Sequence, residues 1–386
     1  MFWAQSVFST LLAGSAYRNL DVIKPRVFIV NFFRSEATEW HNIPEFNLLA
    51  RNFTIPGLSA LFPDVHCTQD GDICQVITGQ AEINAASTIS SLLLSQSPRF
   101  DLQSTYFVLA GIAGVSPRHA TIGSVTFARY AVQGGLQHEF DAREKPAHFA
   151  SGYFGQGANK PGEYPGWIDG TEVFEVNDAL RQVAMGFAQK ATLTDTDECK
   201  RLRATYASSS SDVFAVGAAP PSIVPCDTLT SDTYWSGALL AESFENTTVV
   251  LTNGHGVYCS SQQEDNAVLH ALLRGAVSGL VDFSRIVVMR SGSDFDRPPE
   301  GGDAAENLFA APVGFPPALV NLRAAGVKVV RGIIDGWETT FAEGIEPTNY
   351  IGDIWGSLGG QPDFIPPHAR TRTDPRTSHC LLSDNC

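Results

Sequence analysis

Short apolar runs alternate along the chain with longer segments in which apolar residues recur at helical spacing. The uninterrupted runs predict buried strands at residues 26–31, 105–110, 121–130, 247–253 and 285–290. The helical spacing predicts helices at residues 81–96, 172–191, 195–207, 262–280, 317–325 and 327–343. Because strands alternate with helices, we expect an α/β fold, a single domain whose central mixed sheet is flanked by helices.

Three regions follow from the spread of these elements. We expect the domain itself over residues 25–350, between an N-terminal segment at 1–24 and a Pro-, Arg- and Thr-rich peripheral tail at 351–386. Residues 1–16 are apolar and end in small residues, which resembles a secretory signal peptide that lacks the usual basic start. Residues 134–170 have no periodicity, and long irregular segments of compact domains are often functional.

The charge balance narrows the range of partners. Lys and Arg total 26 while Asp and Glu total 41, so the net charge is −15. Nucleic acids and anionic lipids both need clustered positive charge, so we expect neither as a partner. A membrane-spanning helix needs roughly 18 uninterrupted apolar residues, and the longest runs here are about half that length. We therefore expect no membrane span.

The seven cysteines suggest disulfides rather than a metal site. None of their spacings is CxxC and no dense His/Cys cluster occurs, so we expect no zinc or other metal. Close spacing leaves Cys259 free and suggests three pairs: Cys67–Cys74, Cys199–Cys226 and Cys380–Cys386.

Two glycosylation sequons begin at Asn52 and Asn246. Together with the paired cysteines and the apolar N-terminal segment, they favour a secreted, glycosylated protein from an oxidising compartment. The alternative is a cytosolic protein whose thiols are reduced and buried.

Polar residues with catalytic potential follow the predicted strands. Ligands of α/β sheets bind beyond the carboxyl ends of the strands. Glu36 follows the first strand, and Asn253 follows the run at 247–252. Arg290 and Asp294 follow the run at 285–289, and Glu264 lies near the start of the helix predicted at 262–280. The topology is therefore expected to gather carboxylates and an arginine in one cleft.

Each of these residues also has a structural interpretation. Asp294 suits the N-cap of a helix or turn, and Glu36 suits a solvated first helical turn. Arg290 could be the structural partner of either carboxylate, and Glu264 could be an acid favoured by the dipole of its helix. Spacing alone therefore indicates a cleft and leaves the reaction open.

Several segments resemble the fungal family of purine nucleoside permeases, with a resemblance that extends from about residue 25 to 345. They are residues 77–86, 110–115, 120–125, 136–144, 251–254 and 263–265. That family is similar in turn to the nucleoside phosphorylase and nucleosidase superfamily. The motifs of the superfamily match Gly111-Ile112-Ala113-Gly114-Val115 at its glycine-rich turn, Gln263-Glu264 at its Met-Glu pair, and Arg290-Ser291-Gly292-Ser293-Asp294 at its Arg-x-x-Ser-Asp motif.

The resemblance implies a nucleoside phosphorylase-like catalytic domain that uses no cofactor and cleaves the N-glycosidic bond of a purine nucleoside. Asp294 would protonate purine N7, a role that needs burial to raise its pKa. Glu36, as a carboxylate, would position the attacking water, and Arg290 would orient Glu36 and that water.

The resemblance also implies the substrate contacts. Glu264, next to Gln263, would hold the ribose hydroxyls through charge-assisted hydrogen bonds. Tyr234 could stack on the purine, whereas core packing is the simpler interpretation of Trp235. The remaining expected contacts are Ala113, Gly114 and Asn253.

Departures from the superfamily pattern bear on the acceptor of the sugar. The arginine that phosphorylases carry before the glycine-rich turn is replaced by Val108-Leu109-Ala110, and their Ser/Thr inside the turn is Ile112. Arg34 is the only nearby replacement, so water is favoured over phosphate as the acceptor. Two alternatives stay open: a phosphate-dependent phosphorylase, and a nucleoside-binding or transport component without turnover. A homodimer is possible in either case.

Overall fold

The computed structural model describes residues 22–95, 100–207 and 212–369. Its strands are β1 (Val27–Asn31), β2 (Arg51–Thr54), β3 (Asp64–Cys67), β4 (Ile73–Ile77), β5 (Tyr106–Val115), β6 (Val125–Ala128), β7 (Tyr130–Gln133), β8 (Gln137–Glu139), β9 (Tyr153–Gly155), β10 (Val173–Glu175), β11 (Ile223–Pro225), β12 (Asp227–Thr230), β13 (Tyr258–Gln262), β14 (Ile286–Phe295) and β15 (Gly352–Asp353). Its α-helices are α1 (Arg34–Thr38), α2 (Glu82–Leu94), α3 (Asp178–Ala188), α4 (Asp197–Ala207), α5 (Ala215–Ala218), α6 (Ala238–Leu251), α7 (Asp265–Val277), α8 (Ala304–Phe309) and α9 (Phe315–Asp335).

Four parallel strands form the centre of the main sheet. β1 pairs with β4 on one side and with β5 on the other, and β5 also pairs with the equally long β14. The path through the sheet is β15-β10-β7-β12-β13-β5-β1-β4-β3-β2, and β14 also pairs with β6. Antiparallel pairs near both edges, and between β13 and β5, make the sheet mixed. The continuous apolar run of β1 suits a strand that is covered on both faces.

Helices cover both faces of this sheet. α2 and α7 pack together on one face, where Ile89 and Leu272 join the same apolar cluster as Phe28. α3 and α9 pack on the other face in a cluster that contains Trp40 and Met289. The predicted fold class is confirmed: the chain forms one α/β domain whose central mixed sheet is flanked by helices.

The strand predicted at 247–253 is wrong, because these residues form the end of α6 and the turn after it. Their apolar, β-branched run is typical of a buried strand. In the structure the threonine hydroxyls bond back to the preceding helical turn: Thr248 Oγ1 donates to the Phe244 carbonyl and Thr252 Oγ1 to the Thr248 carbonyl. Val249 meanwhile faces solvent. The threonine hydroxyl groups thus find their hydrogen-bond acceptors within the helix itself, as threonine side chains in helices commonly do.

One helix replaces the two predicted over 317–343. α9 passes without interruption through Gly326, which the sequence suggests as a break. A Cβ at Gly326 would collide with the ring of Trp40 and with Met289 Cε. The glycine therefore allows close packing of the helix on the sheet.

Other elements agree with the prediction in position and differ in detail. The run at 121–130 contains β6, and β7 begins at its last residue. The segment 172–191 begins with β10 before α3. α2 forms as predicted, although Ile83 is exposed and Thr88 is buried. β12 and β13 were not predicted because their buried faces carry hydroxyl and amide side chains instead of an apolar run.

One of the predicted disulfides forms in the structure, and another is replaced by a different pair. Cys67 and Cys74 are joined across the β3–β4 turn, as predicted. Cys226 is joined to Cys259, so the predicted Cys199–Cys226 pair is wrong and Cys259 is not free. Cys226 directly precedes β12 and Cys259 lies in β13, the neighbouring parallel strand, which sets their Cα atoms 5.5 Å apart. Cys199 is a buried thiol on α4. The Cys380–Cys386 pair lies outside the described residues.

Two segments for which the sequence predicts no regular element contain short strands. The excursion at 134–170 contains the two-stranded hairpin of β8 and β9. In the expected tail, β15 pairs with β10 at the sheet edge, and Phe364 is buried against Tyr130. Residues 351–369 thus pack onto the sheet. Residues 1–21 and 370–386, which include most of the expected N-terminal segment, lie outside the described residues.

Candidate active site

The glycine-rich segment predicted as a turn lies inside β5 instead. A Cβ at Gly111 would stand 2.5 Å from Arg290 Nη1 and 2.6 Å from Phe32 Cδ2, so only glycine lets the strand pass at this point. β5 therefore continues beyond its apolar run and carries Ile112 and Gly114 to the wall of a cleft. The prediction of a turn is wrong, but the segment does reach the site.

A β-bulge directs Asp294 into this cleft. β14 and β5 run in regular register until just before Asp294, where the register shifts so that Asp294 stands opposite Gly114. Bulges re-aim side chains in this way. Asp294 Oδ1 accepts a hydrogen bond from Ser293 Oγ at 2.6 Å, and its Oδ2 accepts one from Tyr234 Oη at 2.9 Å. Both carboxyl oxygens are therefore fixed in orientation.

Backbone N–H groups from two elements hold Glu36. This residue lies on α1, directly after β1, and is only 1% exposed. Its Oε2 accepts hydrogen bonds from the backbone N–H of Phe32 at 2.7 Å and of Phe33 at 3.3 Å. Its Oε1 accepts one from the N–H of Ile112 on β5, also at 2.7 Å. The side chain is thus fixed to the ends of two central strands.

Burial raises the pKa of both carboxyl groups. Loss of solvation raises the pKa of Glu36 to about 8, although the charge of Arg290 and the N–H donors of Ile112 and Phe32 act in the opposite direction. Burial likewise raises the pKa of Asp294, against the hydroxyl groups that bond to it. A raised pKa keeps the proton on Asp294, and a general acid requires this. An ionised Glu36 was expected from the sequence, whereas its burial favours the protonated form below about pH 8.

Arg290 is the centre of a buried ionic network. Its Nη2 donates to Asp265 Oδ1 at 2.6 Å and to Glu264 Oε2 at 3.1 Å, and its Nε donates to Asp265 Oδ2 at 3.2 Å. Its Nη1 donates to the carbonyl of Ile112, and the guanidinium lies over the ring of Phe32. The expected direct orientation of Glu36 is therefore corrected, because Arg290 acts on that carboxyl through its charge.

Replacing Arg290 by Met should destabilise the protein by about 3–5 kcal/mol, because it leaves the buried carboxyl groups of Glu264 and Asp265 without a cation. The matched control is Arg203→Met. Arg203 is equally buried, but its partner Asp195 keeps contact with solvent. The free energy of unfolding should therefore fall less in the control than in Arg290→Met. Urea unfolding of both variants measures the difference. An equal or smaller loss for Arg290→Met would contradict this description of the network.

Glu264 sits where the sequence predicted, at the start of α7. The side chain of Gln262 caps that helix, since its Oε1 accepts from the backbone N–H of Glu264 at 2.7 Å and of Asp265 at 2.8 Å. Glu264 Oε1 accepts a longer bond, 3.3 Å, from the backbone N–H of Ala81. Ala81 has a φ of 74°, a strained conformation for a residue with a Cβ, and such strain concentrates at functional sites. The carboxylate is anchored while it still lines the cleft.

The cleft has a volume of about 350 Å³ and brings most of the expected site residues together. Phe33 and Phe315 stack at a centroid distance of 6.2 Å, and Tyr234 is largely exposed, so aromatic rings border the opening. The predicted site residues that line it are Glu36, Ala113, Gly114, Tyr234, Gln263, Glu264, Arg290 and Asp294.

Of three further residues considered from the sequence, Asn253 and Arg34 lie away from the cleft, whereas Trp235 is part of its wall. Asn253 is exposed at the end of α6, beside a different surface cavity, so the structure does not bring it to the cleft. Arg34 is exposed and its guanidinium stacks on Phe62, so it does not replace the missing phosphate ligand. Trp235 packs on the ring of Phe244, in agreement with its interpretation as a packing residue.

Sequence reasoning did not single out two residues that shape the site. Asp265 is fully buried and makes the shortest contact to Arg290. Its position directly after Glu264 was visible, but the sequence offered no reason to separate it from an ordinary acid at a helix start. Ser293 fixes Asp294 through its hydroxyl, a contact that depends on the bulge and therefore only appears in three dimensions.

Within the described ranges, no group of three or more His, Cys, Asp or Glu side chains is arranged to hold a metal ion. In the same part of the chain, no helix combines the length and the apolar character that a membrane crossing requires. The cleft residues that remain for ligand binding are carboxyl, amide, hydroxyl and aromatic groups, which suit a small polar molecule with a flat ring.

The fold and the cleft define an α/β protein with a cleft at the carboxyl ends of its central strands. The chain belongs to the purine nucleoside permease family, whose model matches residues 24–346. A purine nucleoside permease of Candida albicans is 43% identical over 350 residues, which cover 89% of this chain and 84% of the relative. A probable purine nucleoside permease of Schizosaccharomyces pombe is 40% identical over 327 residues, which cover 82% and 91%.

Solved structures with detectable similarity are more distant. A 5′-methylthioadenosine/S-adenosylhomocysteine nucleosidase from Helicobacter pylori has a TM-score of 0.46 at 13% identity, covering 81% of this chain and 98% of that one. A futalosine hydrolase of the same organism also has a TM-score of 0.46, at 14% identity and the same coverage. Since these TM-scores lie below 0.5, the link to the nucleoside phosphorylase and nucleosidase superfamily stays a prediction.

Proposed function

We propose that the protein hydrolyses the N-glycosidic bond of purine nucleosides and releases free base and ribose. The observation that carries this proposal is the pair of carboxyl groups with raised pKa, Glu36 and Asp294, in one cleft. Glu36 is bound by the N–H of Ile112, and Asp294 stands against Gly114, two residues further along β5. The two carboxyl groups are thus placed by nearby residues of the same strand.

Asp294 acts as the general acid. As the bond between C1′ and N9 breaks, the bonding electrons pass to the purine, which is a poor leaving group unless it is protonated. The protonated Asp294 gives its proton to N7 and becomes a carboxylate. The hydroxyl groups of Ser293 and Tyr234 already donate to this carboxyl, so they stabilise the charge that remains on it.

Glu36 acts on the attacking water. Water adds its oxygen to C1′ of the oxocarbenium-like sugar and loses a proton to Glu36, which must be a carboxylate at that moment. With its pKa raised to about 8, Glu36 is a stronger base than an exposed glutamate, and a base whose pKa is close to the working pH is effective. Glu264 binds the ribose hydroxyls and keeps C1′ in place.

The charges of the site support water over phosphate as the acceptor. Arg290 is already neutralised by Asp265 and Glu264, so it has no charge to spare for an anion. The side chain of Ile112 offers no hydrogen bond, and a phosphate would lie beside the carboxyl groups of Glu36 and Glu264. Burying an anion without donors is costly.

The second candidate function is nucleoside binding for transport without turnover. The relatives named as permeases favour it. A phosphate-dependent phosphorylase is the third, and it requires a source of positive charge other than Arg290.

Incubation of the purified protein with inosine, adenosine and guanosine in phosphate-free buffer tests the proposal. Chromatography should show free base that accumulates in proportion to enzyme and time. The Asp294→Asn protein, prepared in the same way, controls for contaminating nucleosidases. Recovery of all three nucleosides intact would reject hydrolysis and favour the binding function.

We also propose that the protein folds in an oxidising compartment and is secreted. The Cys67–Cys74 and Cys226–Cys259 disulfides support this, because such bonds persist mainly outside the reducing cytosol. Detection of glycosylated protein in the culture medium tests it, and retention of all protein inside the cells would contradict it.

A further inference from the structure

A chain of polar side chains crosses the buried centre of the sheet directly behind Glu36. Asn31 at the end of β1 and Gln75 in β4 are both 0% exposed, although neighbouring positions of these strands are apolar. His41, which follows α1, is partly exposed and forms the outer end of the chain. None of these residues lines the cleft described above.

The hydrogen bonds of this chain have a single possible direction. Asn31 Nδ2 donates to the carbonyl of Ala110 at 2.6 Å, and Gln75 Nε2 donates to the carbonyl of Ala37 at 3.1 Å. Since carbonyl groups only accept, both amides are fixed in orientation. Gln75 Nε2 then also donates to Asn31 Oδ1 at 2.8 Å, and Gln75 Oε1 lies 2.9 Å from His41 Nε2. That last contact requires a proton on His41 Nε2.

The two carbonyls and Asn31 itself belong to the backbone that holds Glu36. Asn31 immediately precedes Phe32, whose N–H binds Glu36 Oε2. Ala110 lies two residues before Ile112, whose N–H binds Oε1. Ala37 directly follows Glu36 on α1. The side chains of Asn31 and Gln75 therefore tie together β1, β5 and α1 at the places from which Glu36 is positioned.

We propose that Asn31 and Gln75 are positioning residues for Glu36, with His41 completing their hydrogen bonds. Buried amides do not stabilise a sheet more than well-packed apolar residues of the same volume, so the fold itself does not require them. What they add is a fixed distance between the two strands whose N–H groups bind the carboxyl. The inference rests on the proposed function, in which Glu36 activates water.

The decisive variant is Gln75→Met, which conserves volume and removes the amide. We expect kcat for nucleoside hydrolysis to fall by about 10–100-fold, because a displacement of about 1 Å costs on this scale. KM should change less than threefold, since Glu264 and the cleft walls are untouched. The pKa of Glu36 should also shift, because the burial that raises it and the N–H donors that lower it both depend on how β1 and β5 are placed. Infrared titration of the carboxyl band, assigned by its loss in Glu36→Gln, measures that pKa without any turnover.

Asn177→Leu is the matched control. Asn177 is as buried as Gln75 and donates to two backbone carbonyls, those of Ser284 and Ile345, away from the cleft. This variant should be less stable than wild type. Its kcat should stay within about twofold of wild type, and its Glu36 pKa within a few tenths of a unit. If Gln75→Met does not fold, His41→Phe serves instead. It removes only the outer donor and should lower kcat about threefold, with the same direction of pKa change.

The outcomes separate the two proposals. A wild-type protein without turnover overturns the proposed hydrolysis, while the infrared titration still decides the positioning role. The positioning role is overturned if Glu36 has the same pKa in wild type and in Gln75→Met, even if the enzyme is active. The same holds for His41→Phe if that variant is used. A shifted pKa of Glu36 together with lower kcat, and neither change in Asn177→Leu, supports it.

Discussion

Asp294→Asn should lower kcat on purine nucleosides by about 10²–10⁴-fold, the range that general acid catalysis usually contributes. The amide has the shape of the carboxyl but is too weak an acid to transfer a proton to N7. The hydroxyl groups of Ser293 and Tyr234 can rotate to accept from it, so the fold and the cleft should be preserved. KM should change little, because the ribose contacts lie elsewhere.

The matched control for this loss is Asp227→Asn. Asp227 is a buried aspartate that accepts hydrogen bonds from the backbone N–H of Arg129, Tyr130 and Val257, and it lies outside the cleft. It should lose stability and keep the kcat of the folded fraction. Steady-state kinetics on both variants, corrected for folded fraction by circular dichroism, make the comparison. Near-wild-type turnover in Asp294→Asn would remove Asp294 from its role as general acid.

Glu36→Gln should also lower kcat by at least about 10²-fold, because an amide cannot accept the proton of the attacking water. In the wild-type protein, kcat/KM should rise with pH towards the raised pKa of Glu36, about 8, as the carboxylate forms. The remaining activity of Glu36→Gln should lack that rise. A pH–rate profile from pH 5 to 9 measures both. A wild-type profile that is already flat from pH 5 upwards, as for a glutamate with the ordinary pKa of 4.5, would contradict the role given to burial.

The same variant has an expected effect on stability. The pKa of Glu36 is higher in the folded protein, about 8, than its ordinary value of 4.5, so the folded state binds the proton more tightly. This stabilisation is fully present below pH 4.5 and is lost as pH rises through about 8. The shift corresponds to a free-energy change on the order of 5 kcal/mol. Urea unfolding from pH 5 to 9 should therefore show a steeper loss of stability in wild type than in Glu36→Gln.

The positions of Glu36 and Asp294 could be predicted because they follow continuous apolar runs. Such runs form the central parallel strands, and the ends of parallel strands meet at one edge of the sheet. β1 is at the predicted place, and β14 begins where predicted but continues to Phe295, so Asp294 lies within it. Glu36 and Asp294 still line one cleft.

Asn253 shows where the same reasoning fails. Its apolar run is helical, and an exposed helix end carries it away from the site. Nothing in the local pattern separates a β-branched run in a helix from one in a strand, because the difference arises from hydroxyl groups that bond back along α6.

The ion-pair partners in the site could not be predicted from the sequence either. The residue types predicted that Arg290 would pair with a carboxylate, but the choice of Asp265 and Glu264 over Glu36 depends on how α7 approaches β14. The positions of Asn31 and Gln75 are similar: each is one polar residue in a buried strand, and only the pairing of β1 with β4 and β5 gives it a partner.

The most direct test of the account is the identity of the sugar product. The purified protein is incubated with inosine in two parallel reactions, one without phosphate and one with phosphate, and the products are separated and identified by mass. The account predicts hypoxanthine and free ribose at equal rates in both reactions. Ribose 1-phosphate that forms only when phosphate is present would contradict it, because the site would then bind an anion beside Ile112 and the neutralised Arg290.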